Sequence, residues 1–245
     1  MIIGKGLLAR AFAPYLEKHS DVVVFASGVS NSFETHLGEF AREEALLRER
    51  LDTEARRFIY FSSCGITDAA SDLTPYMQHK RAMEALVLSA SHGLVLRLPQ
   101  VVGKTNNPHT LTNFLRDHIL SGQHFKVWSS AERNLIDVDD VATIGVRLAI
   151  DLPPEPTVVS IASTHSKLMP EIVEIFERAL GKTANCSYVL KGTPMIIDTA
   201  QAESLGKKLG IDLGVGYIER VIHKYYGPRI KGGPDDTLLS PADRT

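Results

Sequence analysis

The amino-acid sequence predicts an α/β protein organised around a parallel sheet. Three runs, residues 22–26 apolar throughout, 58–62 apolar up to Ser62 and 94–98 apolar but for Arg97, read as strands buried on both faces. Helix-length stretches separate them, and strands that alternate with helices pair in parallel. The length of 245 residues, with 44% hydrophobic and 23% charged content, suits one large globular domain or a domain with a smaller lobe.

A formal net charge of −2 offers no basic face for nucleic acid. No apolar run reaches the roughly 18 residues of a membrane span, so no membrane partner is expected. The start of the chain lacks the basic-then-apolar order of a signal peptide. The two cysteines, Cys64 and Cys186, are too few for a disulfide framework and lack metal-ligand spacing. The expectation is a cytoplasmic protein with no metal site.

The chain opens Met1-Ile-Ile-Gly4-Lys-Gly6, a very short strand and a glycine turn, followed by an amphipathic helix to about residue 19. Gly4-x-Gly6-x-x-Ala9 fits the dinucleotide fingerprint with Ala in third place. Gly4 would allow the tight turn and Gly6 the approach of a pyrophosphate to the backbone. The small Ala9 would let helix and strand pack closely, with the helix N-terminus facing the phosphates. A tight turn with no ligand is the competing reading.

The second strand, residues 22–26, runs into Ala26-Ser27-Gly28. It is open to two placements. As the second strand of the fingerprint unit it should end in an acid that holds the ribose 2′-hydroxyl. Ser27 stands there instead, which would suit NADP. As a later strand, its Ala-Ser-Gly end would be a backbone wall beside the cofactor. One helix, at about residues 33–51, leads on to the third strand.

That strand ends in Ser62-Ser63, and a helix at about residues 75–90 follows with Tyr76 and Lys80 one turn apart on one face. A hydroxyl, a phenol and an ammonium converging there suit proton transfer at an alcohol or carbonyl. The ammonium would lower the tyrosine pKa from its usual value of about 10, and Ser63 could hydrogen-bond the reacting oxygen. The alternative is a surface tyrosine packed beside a lysine stem. The next strand carries Arg97 and ends at Pro99.

Gly4-Lys-Gly6, Ser62-Ser63, Tyr76-x-x-x-Lys80, Leu96-Arg97-Leu-Pro99-x-x-x-Gly103 and Arg133-Asn-Leu-Ile-Asp137-Val-Asp-Asp140-Val occur in that order, and Asp198-Thr-Ala-Gln-Ala-x-x-Leu205-Gly206 closes the series. Together they resemble the extended short-chain dehydrogenase/reductase superfamily, in its NAD-dependent epimerase/dehydratase branch. The resemblance implies a Rossmann-like doubly wound parallel sheet with a smaller C-terminal α/β substrate lobe. Residues 1–105 would form the dinucleotide-binding domain and 106–228 the substrate-binding lobe, with 229–245 a flexible tail. Ser63, Tyr76 and Lys80 would be catalytic, with Tyr76 the acid/base and Lys80 tuning it. NAD or NADP would lie on Gly4, Gly6, Leu7, Leu8, Ala26, Ser27, Gly28, Ser62, Lys80 and Pro99. The implied substrate is a nucleotide sugar, of the kind used in surface-polysaccharide synthesis, and a homodimer through the two long helices is a family expectation.

This chain departs from the family twice. It carries one strand and one helix where about two more strand–helix units usually precede the serine strand, so the sheet is reduced in strand number. The interval from Ser63 to Tyr76 is also short, which trims the loop over the substrate. Two other functions stay open on that account. One is a non-catalytic family member acting as a binding protein. The other is an NADPH-dependent reductase of a non-nucleotide carbonyl compound.

In the second half, residues 108–122 read as a helix carrying Asn113, placed like the asparagine near the sugar-nucleotide diphosphate in similar proteins, or merely on the surface. Arg133 could clamp a diphosphate or pair with Asp137 or Asp139. Trp128 could pack or line the nucleotide pocket. Asp139 and Asp140 read as helix-start carboxylates. A strand at 158–161 and helices at 167–180, 199–209 and 216–226 complete the lobe.

Overall fold

The computed structural model describes residues 1–67 and 73–228. In chain order the elements are β1 (Ile2–Ile3), α1 (Leu7–Leu16), β2 (Val22–Phe25), α2 (Leu37–Leu51), β3 (Arg57–Ser63), a 3-10 turn (Cys64–Thr67), α3 (Pro75–Leu88), β4 (Gly93–Leu98) and β5 (Gln100–Val102). Then come α4 (Leu111–Ser121), β6 (Phe125–Trp128), β7 (Glu132–Arg133), β8 (Leu135–Asp137), α5 (Val138–Asp151), β9 (Thr157–Ser160), β10 (Lys167–Leu168), α6 (Met169–Leu180), β11 (Cys186–Val189), α7 (Ala200–Lys208) and α8 (Tyr217–Tyr226). The tail expected at 229–245 lies outside the described residues, as does the centre of the shortened loop before Tyr76.

The α/β expectation holds. Five strands form one parallel sheet in the order β1-β2-β3-β4-β9. The sheet takes its last strand from beyond residue 105, so a division there runs through the sheet. Three two-stranded ladders, β5 with β8, β6 with β11 and β7 with β10, organise the second half. No helix among the described residues is long and apolar enough to cross a membrane.

The two faces of the sheet are covered by different helices. Phe12 and Leu16 of α1 pack with Val22, Val24, Ile59, Phe61 and Leu96, and with Val141 and Ile144 of α5. The alternate residues Val23, Phe25, Phe58, Tyr60 and Val95 face Leu47 and Leu51 of α2 and Met83 and Val87 of α3. The strands advance in one direction across the sheet, yet α1 lies on the opposite face from α2 and α3. The β1–α1–β2 connection therefore has the opposite hand to the next two. Right-handed crossovers are the strong rule for parallel strands, which makes this first one left-handed.

The reduction in strand number explains it. In the doubly wound order 3-2-1-4-5-6 the first strand has neighbours on both sides. Here β1 is the sheet edge, and β2 stands where the fourth strand would. That selects between the two placements of residues 22–26: they form the later strand, and Ala26-Ser27-Gly28 is a wall beside the glycine turn. Because the chain leaves β1 toward one face and β2 toward the other, a crevice opens at the carboxyl ends of these strands, where open α/β sheets bind ligands.

Several boundaries differ from the sequence reading, each for a local reason. The helix expected from residue 33 starts at Leu37. Before it, Asn31 Oδ1 accepts the Phe33 N–H at 3.1 Å and Glu34 Oε1 accepts the His36 N–H at 2.8 Å. Such side-chain bonds compete with helix. The helix expected from 108 starts at Leu111, where Thr110 Oγ1 caps the Asn113 N–H at 3.2 Å. Lys167 and Leu168 leave the expected helix to pair with Arg133 and Glu132. Strands β5, β7 and β8 are two or three residues long, too short for periodicity to reveal.

Candidate active site

The glycine turn is built of backbone alone. Gly4 has φ +121°, and a Cβ there would lie 2.3 Å from the Ala26 carbonyl oxygen. Both facts demand glycine. Gly6 is the N-cap of α1, with no side-chain cap and no acid in the first turn. A Cβ on Gly6 would meet nothing within 4 Å. The first N–H groups of α1 thus face open space with the positive end of the helix dipole behind them, which suits an anion. Leu7 and Leu8 follow, half-buried at the start of the helix.

On the other side of β2, the Thr74 hydroxyl caps α3 by accepting the Met77 N–H at 3.3 Å, and Pro75 opens the first turn. This sets Tyr76 and Lys80 on the face turned to the sheet. Arg97 of β4 holds α3 from a further side through a bidentate pair with Glu84, Nε to Oε1 at 2.8 Å and Nη2 to Oε2 at 2.6 Å. The Ser63 hydroxyl accepts the Gly65 N–H at 3.2 Å. Ser62 Oγ is buried without a hydrogen-bond partner among the described residues. Pro99 is half-buried between β4 and β5.

Lys80 is 3% exposed and bound inside the protein. Its ammonium donates to Glu43 Oε1 at 3.0 Å and to the Tyr60 hydroxyl at 3.0 Å. Glu43, on α2, is fully buried and also accepts from Tyr60 Oη at 2.6 Å, His79 Nε2 at 3.0 Å and the Val29 N–H at 2.5 Å. Burial alone would push the Glu43 carboxyl up. The hydrogen bond from His79, the charge of Lys80 and the bonds from Tyr60 and Val29 outweigh it and hold the group down to about 2.

This overturns the expected tuning of Tyr76. The Lys80 charge is answered by Glu43, the ammonium lies 5.9 Å from the centre of the Tyr76 ring, and no hydrogen bond joins the two among the described residues. Burial, and then the Glu43 charge, raise the Tyr76 phenol to about 12 instead of lowering it. Tyr76 is a protonated donor at neutral pH. Cys64, after Ser63, is likewise pushed up to about 12 by burial and is no nucleophile.

Asn113 sits apart from this cluster. Its Nδ2 donates to the Thr105 and Asn107 carbonyls at 2.9 and 2.8 Å, and its Oδ1 accepts from the Tyr226 hydroxyl at 3.0 Å. The side chain is buried and spent on folding the 105–113 turn against α8, so neither the surface reading nor a free ligand contact holds. Arg133 is the opposite case. Asp137 and Asp139 are taken by Lys224 at 2.7 and 2.8 Å. Among the described residues no carboxylate pairs with Arg133, whose guanidinium pKa burial lowers. Trp128 is exposed, with Lys191 Nζ 4.3 Å from its ring centre.

The residues present fit one half of a dinucleotide. The open Gly6 cradle suits a pyrophosphate, and the Ser62 hydroxyl, without a partner among the described residues, together with the Ser63–Tyr76–Lys80 group suits the end that reacts. On the adenosine side β1 is an edge, with no further strand among the described residues to carry a ribose ligand. Glu43, Tyr60 and Glu84 are the residues that sequence reasoning missed. The available signal was Glu43 itself, a carboxylate set among Phe40, Leu47 and Leu51 in the buried stripe of α2.

Residues 6–162 match the model of the NAD dependent epimerase/dehydratase family. No curated protein matches the sequence. Among solved structures, UDP-N-acetylglucosamine 4-epimerase from Bacillus cereus superposes with a TM-score of 0.69 at 16% identity, covering 92% of this chain and 96% of that one. The dTDP-glucose 4,6-dehydratase from Bacillus anthracis, in complex with NAD, gives 0.63 at 15% identity, covering 91% and 78%. RMD from Pseudomonas aeruginosa, complexed with NADPH, gives 0.59 at 18% identity, covering 85% and 82%. At such identities the likeness is one of fold.

Proposed function

This chain belongs to the NAD dependent epimerase/dehydratase family, and from that premise we propose that it is an oxidoreductase acting on a nucleotide sugar. The observation that carries the reading is the crevice. One wall is an open phosphate cradle at Gly6, and across β2 from it stand Ser63, Tyr76 and Lys80. The nicotinamide of NAD or NADP, when bound, supplies the acceptor and donor of hydride.

Every other role falls to the chain. Gly4, Gly6, Leu7 and Leu8 offer backbone to the diphosphate, and Ala26 to Gly28 form the wall beside it. Tyr76, protonated at neutral pH, gives its proton to a carbonyl oxygen as that oxygen gains charge, and Ser63 donates a hydrogen bond to the same atom. Lys80 keeps one of its three N–H donors for a bound hydroxyl, the other two being taken by Glu43 and Tyr60. The substrate lobe is drawn from residues 106–228 outside α5 and β9, which belong with the main sheet. There Arg133, with no acid partner among the described residues, supplies a cation for the sugar diphosphate. The structural neighbours support this substrate class, being enzymes of UDP- and dTDP-sugars.

The test is turnover. The protein is incubated with each dinucleotide and with UDP-, GDP- and dTDP-sugars, their keto derivatives included, and the products are separated by ion-exchange chromatography. Conversion of one sugar by the wild type, lost in Tyr76→Phe, is the expected result. Conversion that Tyr76→Phe leaves intact would overturn the assigned chemistry.

A further inference from the structure

We propose that Glu43 is a positioning residue of this site: from α2 it fixes the Lys80 ammonium against the Gly28 backbone and keeps it charged in a dry interior. The proposal rests on the functional reading above and adds a residue to it. Its basis is geometric. A carboxylate offers about four acceptor directions, and Glu43 has four donors, one each from β3 (Tyr60) and the 28–30 segment (Val29), and two from α3 (His79 and Lys80). His79 is itself held by stacking on Phe40, with ring centres 4.6 Å apart. The carboxylate is therefore fixed by three separate elements before it reaches the lysine.

The place where it holds the lysine is also specific. A Cβ on Gly28 would lie 2.8 Å from both Glu43 Oε1 and Lys80 Nζ. The pair thus presses against the backbone that walls the crevice. An ammonium buried this deeply loses its proton readily unless a carboxylate answers it. Burial pushes Lys80 down and prevails, leaving it below the ordinary lysine value, and Glu43 is the main group that opposes the fall. The groups facing Lys80 are Glu43 on α2, Tyr60 on β3, and Tyr76, His79 and Glu84 on α3, with Arg97 of β4 already paired to Glu84. Of these, Glu43 alone is an acid in direct contact with the ammonium.

The device separates two jobs that one lysine otherwise shares. Lys80 stays charged and oriented for a hydroxyl ligand, while the pair as a whole, being neutral, leaves the Tyr76 proton in place. The protein is set up to hand a proton to a carbonyl oxygen, not to take one from an alcohol.

The experiment reads Lys80 directly, without cofactor or substrate, by NMR of carbon-labelled lysine with the resonance assigned through Lys80→Met. The wild-type ammonium is expected to be charged at neutral pH and to titrate below the ordinary lysine value of about 10.4. In Glu43→Gln its titration should move down by about one unit or more, a tenfold change in the proton equilibrium. Glu43→Asp should restore part of the shift. The same Glu43→Gln protein should gain an alkaline limb in kcat/KM with the KM for the sugar unchanged, which a purely structural role would not produce. An identical Lys80 titration in wild type and Glu43→Gln overturns the proposal. So does a wild-type Lys80 already neutral near pH 7, a reading that needs no variant to fold. Failure of all dinucleotides to bind would instead defeat the functional reading, leaving the Lys80 titration to be judged by itself.

Discussion

The glycine turn and the Tyr76–Lys80 turn flank the same strand, β2, but are made of different materials. The first is backbone: a glycine at φ +121°, a second glycine with open space above it, and a bare helix N-terminus. The second is side chain: a lysine, a glutamate, a tyrosine and a histidine drawn from three elements and closed on one another. The contrast teaches that a glycine turn shaped for an anion is set by three residues in a row, whereas proton chemistry is set by whichever charge the tertiary fold brings alongside.

The comparison can be broken at its chemical end first. Tyr76→Phe removes only a hydroxyl, so dinucleotide affinity should hold while turnover falls by about 10²- to 10⁴-fold. Steady-state rates beside calorimetric affinity check it. In the carbonyl-reducing direction the wild-type rate should be flat around neutral pH. The phenol itself, followed by its ultraviolet absorbance against Tyr76→Phe, should ionise only at about 12, any earlier alkaline limb belonging to Lys80. A Tyr76 phenol that titrates near pH 8 would show acidification by Lys80 after all.

Breaking the side-chain cluster comes next. Lys80→Met leaves the Glu43 carboxylate buried without its cation and should cost about 3–5 kcal/mol in denaturant unfolding. Adding Glu43→Gln to it should cost less than the two single losses combined. The cluster also sets an acid limit. The Glu43 pKa is depressed in the fold, so its contribution is complete above the unfolded value of about 4.3 and is lost as pH falls through about 2. Melting temperature in that window should drop more steeply for the wild type than for Glu43→Gln.

The glycine turn gives the smaller and cleaner pair. Gly4→Ala combines a strained φ with a 2.3 Å approach to the Ala26 carbonyl and should destabilise by about 1–3 kcal/mol. Gly6→Ala meets nothing, so stability should change by less than about 0.5 kcal/mol. Its methyl would occupy the approach of the diphosphate, and affinity for a dinucleotide should weaken tenfold or more.

Much of this architecture was legible in the sequence, because apolar runs and a glycine turn are local signals. The alternation of strand and helix, the glycine turn and the Tyr76–Lys80 spacing all follow from residues within one turn or strand of each other. The side on which β2 lies was not legible, since nothing local tells a second strand from a fourth. Pairing to both β1 and β3 decided it. Nor was the Tyr76 pKa legible. Lys80 and Tyr76 are neighbours on one helix, but Glu43 is 37 positions from Lys80 and enters through the packing of α2 on α3. Asn113 failed for a related reason: its partner Tyr226 stands 113 positions away.

The central claim is that the crevice beside Gly6 binds a nicotinamide dinucleotide, and calorimetric titration of dinucleotide-free protein tests it most directly. Wild type and Gly6→Ala are each titrated with NAD, NADH, NADP and NADPH. Micromolar binding of one redox pair by the wild type, weakened tenfold or more in a Gly6→Ala protein of unchanged melting temperature, is the predicted result. Binding of none of the four, or binding that Gly6→Ala leaves untouched, would contradict the account.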